Sequence, residues 1–487
     1  MALTSTGFFE LDELAHFMKS RDSWSNARNL LDIWARPLCT LYFALMAPFG
    51  VAASRCLAVA LTSLTALGTV RVAARFMDEQ PHRRALIWLL LFAQPMFLLQ
   101  SFAVMTEMML ACLWVWALAL LSRGRIEAAG LLIGLGGLAR PEGLLAILCW
   151  PCFLAATRAV ARRSSSPRDE AGGIPDADEN SRWSRHAWII SVGLSILPCL
   201  LWWLAGWQVY GSASWFVTQW PWGAHSRYGR TALKFLLSSL VALGFWMIVP
   251  LALGIRDCWE RSRAGLQARL ALLHLVVPLA AVAGLHACLG ALGLFGSLSL
   301  PRYFVVVSPM IAILSAQGLY AGRKGKPLRW GLIAALSLAP MTLLLLAGQL
   351  PIPTNTQFRL LTDATAYAEQ QAAREGKDRA TIVAAHPYLY YRLNLSLDAE
   401  GHRRLFTTGG LQSAPVGTVV VAENIIWEFD GFPAQAQLES WGYRLLKTWS
   451  GPGKEKRTLP GFSLLMNQHL LSLVGDAARV QVWVKER

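Results

Sequence analysis

Residues 128–150 read AAGLLIGLGGLARPEGLLAILCW, two apolar runs interrupted by Arg140-Pro141-Glu142. Crossing the hydrocarbon core of a bilayer takes roughly 20 apolar residues in a helix. Neither run reaches that length, and a charged break at such depth is tolerable only if neighbouring helices bury it or the runs tilt. Working outward in both directions, apolar runs recur at about 53–75, 84–103, 105–121, 127–139, 142–157, 187–209, 232–254, 270–294, 303–320 and 329–350. A chain of 487 residues that is 54% hydrophobic and 15% charged fits this pattern and excludes an ordinary soluble enzyme. The sequence predicts an α-helical polytopic membrane protein with about ten spans.

The basic residues set the expected orientation. They gather at every second break: Arg71, Arg75, Arg83 and Arg84; Arg123 and Arg125; Arg158, Arg162, Arg163 and Arg168; Arg256, Arg261, Arg263 and Arg269; Arg323, Lys324, Lys326 and Arg329. Loops rich in Lys and Arg stay on the cytoplasmic side. The alternation therefore predicts a multi-pass protein of the plasma (inner) membrane, with the N-terminal segment and the region after 350 on the outer side. The formal charge of +15 is explained by these loops beside anionic lipid, so no nucleic-acid partner is expected.

Two regions follow, 1–350 in the membrane and 351–487 outside it. Within the first, residues 1–37 are expected to be an outer loop carrying a helix near 8–20, and 38–50 an interfacial helix ending at Pro48-Gly50. No apolar span precedes residue 12, which suggests that a first span is missing. The stretch 159–186 mixes serines, Pro167 and acidic residues and reads as an inner loop. Beyond Pro351 and Pro353 the charge density becomes that of a soluble domain. A helix near 357–375, strands at 381–385 and 418–422, a helix at about 434–441 and strands near 443–449 and 480–484 predict a small α/β domain. None of the eight cysteines lies there, and Cys149 and Cys152 sit in an apolar run as small hydrophobes rather than as a redox pair.

The candidate chemistry is carried by ionisable residues on the expected outer side. Asp12, Glu13 and His16 lie in the first segment, with Asp12 and His16 four residues apart on one helical face. A carboxylate there can act as a general base toward a hydroxyl, although an acidic residue in a first helical turn also has an ordinary electrostatic role. Glu107, Arg140 and the Pro301-Arg302-Tyr303 run stand at span ends on the same side. Each alone could be a snorkelling side chain. Together, at membrane depth, they are costly unless functional. The arginines suit a phosphate through forked hydrogen bonds, with Tyr303 beside them, and the carboxylates suit a hydroxyl or a metal. The stretch 207–230 is dense in aromatics; it suits an interfacial belt, or, with His16, a sugar and lipid pocket lined by Trp222, His225, Arg227 and Tyr228. No phosphate-binding glycine loop and no zinc helix is present in the sequence.

This ordered set resembles the GT-C superfamily of integral-membrane glycosyltransferases, in particular its protein O-mannosyltransferase and aminoarabinose-transferase branch. The resemblance is carried by Asp12-Glu13, Arg36-Pro37 before a helix closed by Phe49-Gly50, and Arg55 opening a span. Glu107, the stretch around 137–143, Arg302-Tyr303 with Pro309, and the C-terminal α/β region complete it. It implies a GT-C-like fold, a polyprenyl-phosphate-linked sugar donor, membrane lipid as surroundings, and an acceptor that is a glycan, lipid or protein. It implies that Asp12, Glu13 and Glu107 are catalytic and that Arg140, Arg302 and Tyr303 bind the donor phosphate. No cofactor is required by it, and it leaves room for a divalent metal. A transporter or flippase of lipid-linked saccharides is the alternative; it predicts charges well inside several spans.

Overall fold

The computed structural model describes residues 1–77, 81–164, 184–220, 242–263, 265–294, 300–320, 337, 350–376, 382–396, 408–424, 433–451 and 478–487. In chain order the principal helices are α1 (Leu11–Asp22), α2 (Pro37–Ala44), α3 (Val51–Phe76), α4 (Pro81–Phe92), α5 (Pro95–Gln100), α6 (Thr106–Leu121) and α7 (Ile126–Ala139). They continue as α8 (Pro141–Ser164), α9 (Arg185–Tyr210), α10 (Ile248–Ser262), α11 (Leu266–Leu292), α12 (Ser308–Tyr320), α13 (Thr356–Arg374), α14 (Pro387–Leu393) and α15 (Gln435–Ser440). The strands are β1 (Ile382–Ala384), β2 (Val419–Glu423), β3 (Tyr443–Gly451) and β4 (Ala478–Lys485). By internal packing the chain forms two compact units, one of Met1–Asp22 with Leu345–Arg487 and one of Ser23–Leu344. The N-terminal 22 residues thus group with the C-terminal region, and the division is not a single cut at 350.

The unit 23–344 is helical. Among the described residues five helices are long and apolar enough to cross a membrane: α3, Pro141–Ala161 of α8, α9, α11, and Arg302–Tyr320, which runs into α12. The expected run 84–103 is not one helix. Gln94 precedes Pro95, and a residue before proline is pushed out of the helical region, so α4 stops at Phe92 and α5 restarts on Pro95. The run near 232–254 is described only from 242; residues 242–243 are helical, Gly244 and a 3-10 turn at Phe245–Met247 interrupt, and α10 begins at Ile248. The run at 329–350 lies almost wholly outside the described residues. The interfacial segment forms α2 and a short 3-10 turn at Ala47–Phe49, with Leu41, Leu45 and Phe49 exposed.

Helices α6 and α7 pack side by side and are joined through residues 122–125. At 16 and 14 residues they are about 24 and 21 Å long, short of a roughly 30 Å hydrocarbon core. Glycine sets the approach of α7 to α9: a Cβ at Gly130 or Gly134 would run into the carbonyl oxygens of Ser191 or Ser195. Ser191 Oγ donates to the Ile126 carbonyl at 2.7 Å and accepts from Trp150 Nε1 at 3.0 Å, tying α7, α8 and α9 together.

The other unit carries a four-stranded sheet of order β1-β2-β4-β3, with β1 and β2 parallel and the remaining pairs antiparallel. Helix α13 packs on the sheet, β1 and β2 are buried along their whole length, and Val383, Leu411, Val420, Leu438 and Trp483 form one core cluster. Residues 1–22 dock on this unit: Phe8 meets Phe358, Tyr388 and Tyr391 edge-on, and Arg21 Nη2 donates to the Leu395 carbonyl at 2.8 Å. His386 caps α14, its Nδ1 accepting the Tyr388 N–H at 3.1 Å, and burial pulls its pKa down to about 3. In the unfolded chain this imidazole takes up a proton near pH 6.5, whereas the folded one stays neutral. Stability therefore falls as pH drops from about 6.5 toward 3, by up to about 1.4 kcal/mol per pH unit from this group. Thermal unfolding between pH 7 and 4 should show a shallower pH slope in His386→Asn, which keeps a capping oxygen and removes the titration; equal slopes would exclude His386 as the source.

Candidate active site

The interrupted stretch 128–150 builds the site. Helix α7 ends at Ala139 with Arg140 in an extended conformation, as the following proline demands, and α8 starts on Pro141 with Glu142 in its first turn. Glu107 occupies the first turn of α6. Each charge stands at the helix end that favours its sign, carboxylates at N-termini and the guanidinium at a C-terminus.

These ends converge. Arg140 Nη2 donates to Glu142 Oε1 at 2.8 Å, and its Nε reaches the two Glu142 oxygens at 3.2 and 3.1 Å. Its Nη1 donates to Thr106 Oγ1 at 2.8 Å and lies 2.7 Å from Glu107 Oε1. Arg302 Nε stands 3.2 Å from the same Glu107 oxygen. His286, inside α11, places Nε2 3.0 Å from Glu142 Oε1 and stacks on the Tyr303 ring at 4.4 Å between centroids. The Arg140 and Arg302 guanidiniums lie 5.1 and 5.9 Å from that ring. Glu107 is fully buried, and Arg140, Glu142, His286 and Arg302 nearly so.

A third arginine approaches from the loop before α2. Arg36 is 3% exposed, and Cys39, one helical turn on, lies 3.7 Å from the Ala139 carbonyl, next to Arg140. Arg36 interacts electrostatically with Glu142, Arg140 and Asp32, yet its Nη2 has no hydrogen-bond partner among the described residues. Its φ is +66°, a left-handed value that a residue with a Cβ adopts at a cost of about 1–3 kcal/mol. Arg140 and Arg302 lie in ion-pair contact with carboxylates, whereas Arg36, with Glu142 and Asp32 as electrostatic partners, keeps a donor to spare.

The site residues expected from the sequence fall in two sets. Glu107, Arg140, Arg302 and Tyr303 come together in the unit 23–344. Asp12, Glu13 and His16 lie on α1 in the other unit; Glu13 is buried and its Oε2 accepts the Phe9 N–H at 2.6 Å, closing the start of its own helix. Trp222, His225, Arg227 and Tyr228 lie outside the described residues. Glu142, His286 and Arg36 were not among the expected site residues. Glu142 was visible as part of the charged break; His286 was a lone polar residue in an apolar run, a signal in itself. Arg36 was marked only by the proline after it. Among the described residues no three His, Cys, Asp or Glu side chains group as a metal site, and the carboxylates of Glu107 and Glu142 face arginines instead.

No family model matches the chain, and no curated protein does. Solved structures do. ArnT from Cupriavidus metallidurans in the apo state matches with a TM-score of 0.56 at 14% identity, covering 87% of this chain and 89% of that one. The same protein bound to undecaprenyl phosphate matches with a TM-score of 0.56 at 15% identity, covering 89% and 92%. The oligosaccharyltransferase of Archaeoglobus fulgidus in the apo form gives a TM-score of 0.47 at 11% identity, covering 87% and 67%. The chain therefore has the fold of ArnT, with a small sheet in its C-terminal region.

Proposed function

We propose that this protein is a membrane glycosyltransferase that moves a sugar from a polyprenyl-phosphate donor to an acceptor hydroxyl. One observation carries the reading: three buried arginines, Arg36, Arg140 and Arg302, gather with Glu107 and Glu142, and Arg36, which also feels Asp32, keeps an Nη2 without a hydrogen-bond partner among the described residues, in a chain with the fold of ArnT. Such a cluster suits one more anion, and a phosphodiester brings one negative charge with oxygens for forked donors. ArnT has been seen with undecaprenyl phosphate in the same fold, which supports a lipid-linked phosphate as that anion.

In the reaction we infer, the acceptor oxygen attacks the anomeric carbon and inverts it. The bond from that carbon to the phosphate oxygen breaks, and the lipid phosphate leaves with its new charge stabilised by the arginines. The acceptor proton passes to a carboxylate, for which we propose Asp12; Glu13, given its capping bond, holds the helix that carries it. Glu107, ion-paired to two arginines, is a positioning residue in this scheme. Tyr303 offers its ring to the guanidiniums. The alternation of basic loops supports an extracytoplasmic site and C-terminal unit in the inner membrane.

The flippase alternative is less well supported. Glu107, Arg140, Glu142 and Arg302 stand at helix ends rather than along the length of spans, as a stationary site requires and a translocation path does not. The test is transfer of radiolabelled sugar from a panel of polyprenyl-phosphate donors in membranes. Wild type should transfer label, and Asp12→Asn should lose at least 100-fold in turnover while still binding polyprenyl phosphate. Retained turnover would remove Asp12 from the mechanism. No transfer from any donor, with faster movement of the lipid across the bilayer, would replace the enzyme by a flippase.

A further inference from the structure

The helical unit contains a buried side chain that the scheme above does not use. Gln100, the last residue of α5, is fully buried, and neither its Nε2 nor its Oε1 has a hydrogen-bond partner among the described residues. A buried amide with both ends unpaired is expensive, and an apolar side chain of the same volume would be cheaper. Helix α5 is held at its start by Gln94, whose Nε2 donates to the Ser308 carbonyl at 3.0 Å, and it packs against Pro301–Val307, the segment that carries Arg302. From its other end, five buried residues lead directly to Thr106 and Glu107. Gln100 therefore stands on the short connection between the helix packed on the Arg302 segment and the helix that opens with Thr106 and Glu107.

We propose that Gln100 reads a hydroxyl of the transferred sugar, an inference that rests on the polyprenyl-phosphate reading. The chemistry of the amide selects this partner. A phosphate only accepts hydrogen bonds and would leave Oε1 unmatched, and a polyprenyl tail would match neither end. A sugar hydroxyl, or two adjacent ones, donates and accepts, and satisfies both ends at once. The arginines and carboxylates of the network are charged, so a neutral amide supplies a kind of recognition that they do not. A site built to pair a hydroxyl discriminates strongly against a ligand lacking it.

The experiment compares two probes on purified full-length protein: bare undecaprenyl phosphate, and undecaprenyl phosphate loaded with each of a panel of hexoses and pentoses. Wild type should bind at least one loaded lipid more tightly than the bare one. In Gln100→Met, of similar size and apolar, the midpoint of thermal unfolding should stay level or rise. Its affinity for the bare lipid should remain within about twofold, and that for the preferred loaded lipid should fall by about tenfold or more. Gln100→Leu, close in size and with neither a donor nor an acceptor, should also lose the preference for the loaded lipid. A fall in thermal stability with equal weakening toward both probes would make Gln100 a structural residue and overturn the proposal. Unchanged affinity for the loaded lipid would overturn it as well, and would turn attention to the acceptor hydroxyl. If wild type binds bare lipid but prefers no loaded one, the sugar inference fails while the donor reading stands. If wild type binds neither, both fall.

Discussion

Arg140→Ala should destabilise the protein by about 3–5 kcal/mol and abolish transfer, the largest combined effect expected of any single substitution. The side chain is the hub of the network: it bonds Glu142 through Nε and Nη2, bonds Thr106, and lies against Glu107. Removing it leaves two buried carboxylates, of which Glu107 still faces Arg302 and Glu142 keeps His286 and the charge of Arg36. The energy lost is chiefly that of stranding charge rather than the net worth of the pairs. The double variant Arg140→Ala with Glu142→Ala should therefore recover part of the loss while remaining inactive. Arg140→Lys keeps the charge but not the fork, and should fall between wild type and alanine. Thermal unfolding in detergent is the measurement, and an alanine variant as stable as wild type would show that the network carries no such burden.

Arg36→Gly should behave in the opposite way. Glycine accepts the left-handed backbone at this position without strain, which offsets the extra freedom it gives the unfolded chain. The folded protein should keep its stability within about 1 kcal/mol. Affinity for polyprenyl phosphate should drop on the order of 100-fold, the value of a charge-assisted hydrogen bond to a buried phosphate. Arg36→Lys, with one charge and no fork, should recover part of it. Equilibrium binding of the lipid phosphate checks this, and an unchanged affinity would assign the phosphate to Arg140 and Arg302 alone. The pair of results separates an arginine that holds the site together from one that waits for a ligand.

The sequence made the general architecture legible because burial in a bilayer is a strong constraint. Apolar runs at 53–75, 187–209 and 270–294 became α3, α9 and α11 with shifts of only a few residues at their ends. The strands near 381–385 and 418–422 likewise appear as β1 and β2. The break at 93–95 is hidden because the residues around it are apolar, and the effect of Gln94-Pro95 is conformational rather than compositional. Glu107, Arg140, Arg302 and Tyr303 could be read because charge at membrane depth is conspicuous. His286 and Gln100 were hidden inside apolar runs, and only packing reveals what surrounds them. The strain at Arg36 leaves no trace in composition, since it is a property of one backbone angle.

The shortness of α6 and α7 has a chemical consequence for the proposed transfer. If the turn at residues 122–125 rests at one interface, the Glu107–Arg140 end lies about 21–24 Å into a layer roughly 30 Å thick, below its far surface. Liquid water is scarce there. An anomeric carbon loosened from its phosphate at that depth meets a delivered hydroxyl more readily than a stray water molecule. The length of two helices then sets the partition between productive transfer and wasteful hydrolysis, without any residue devoted to that choice.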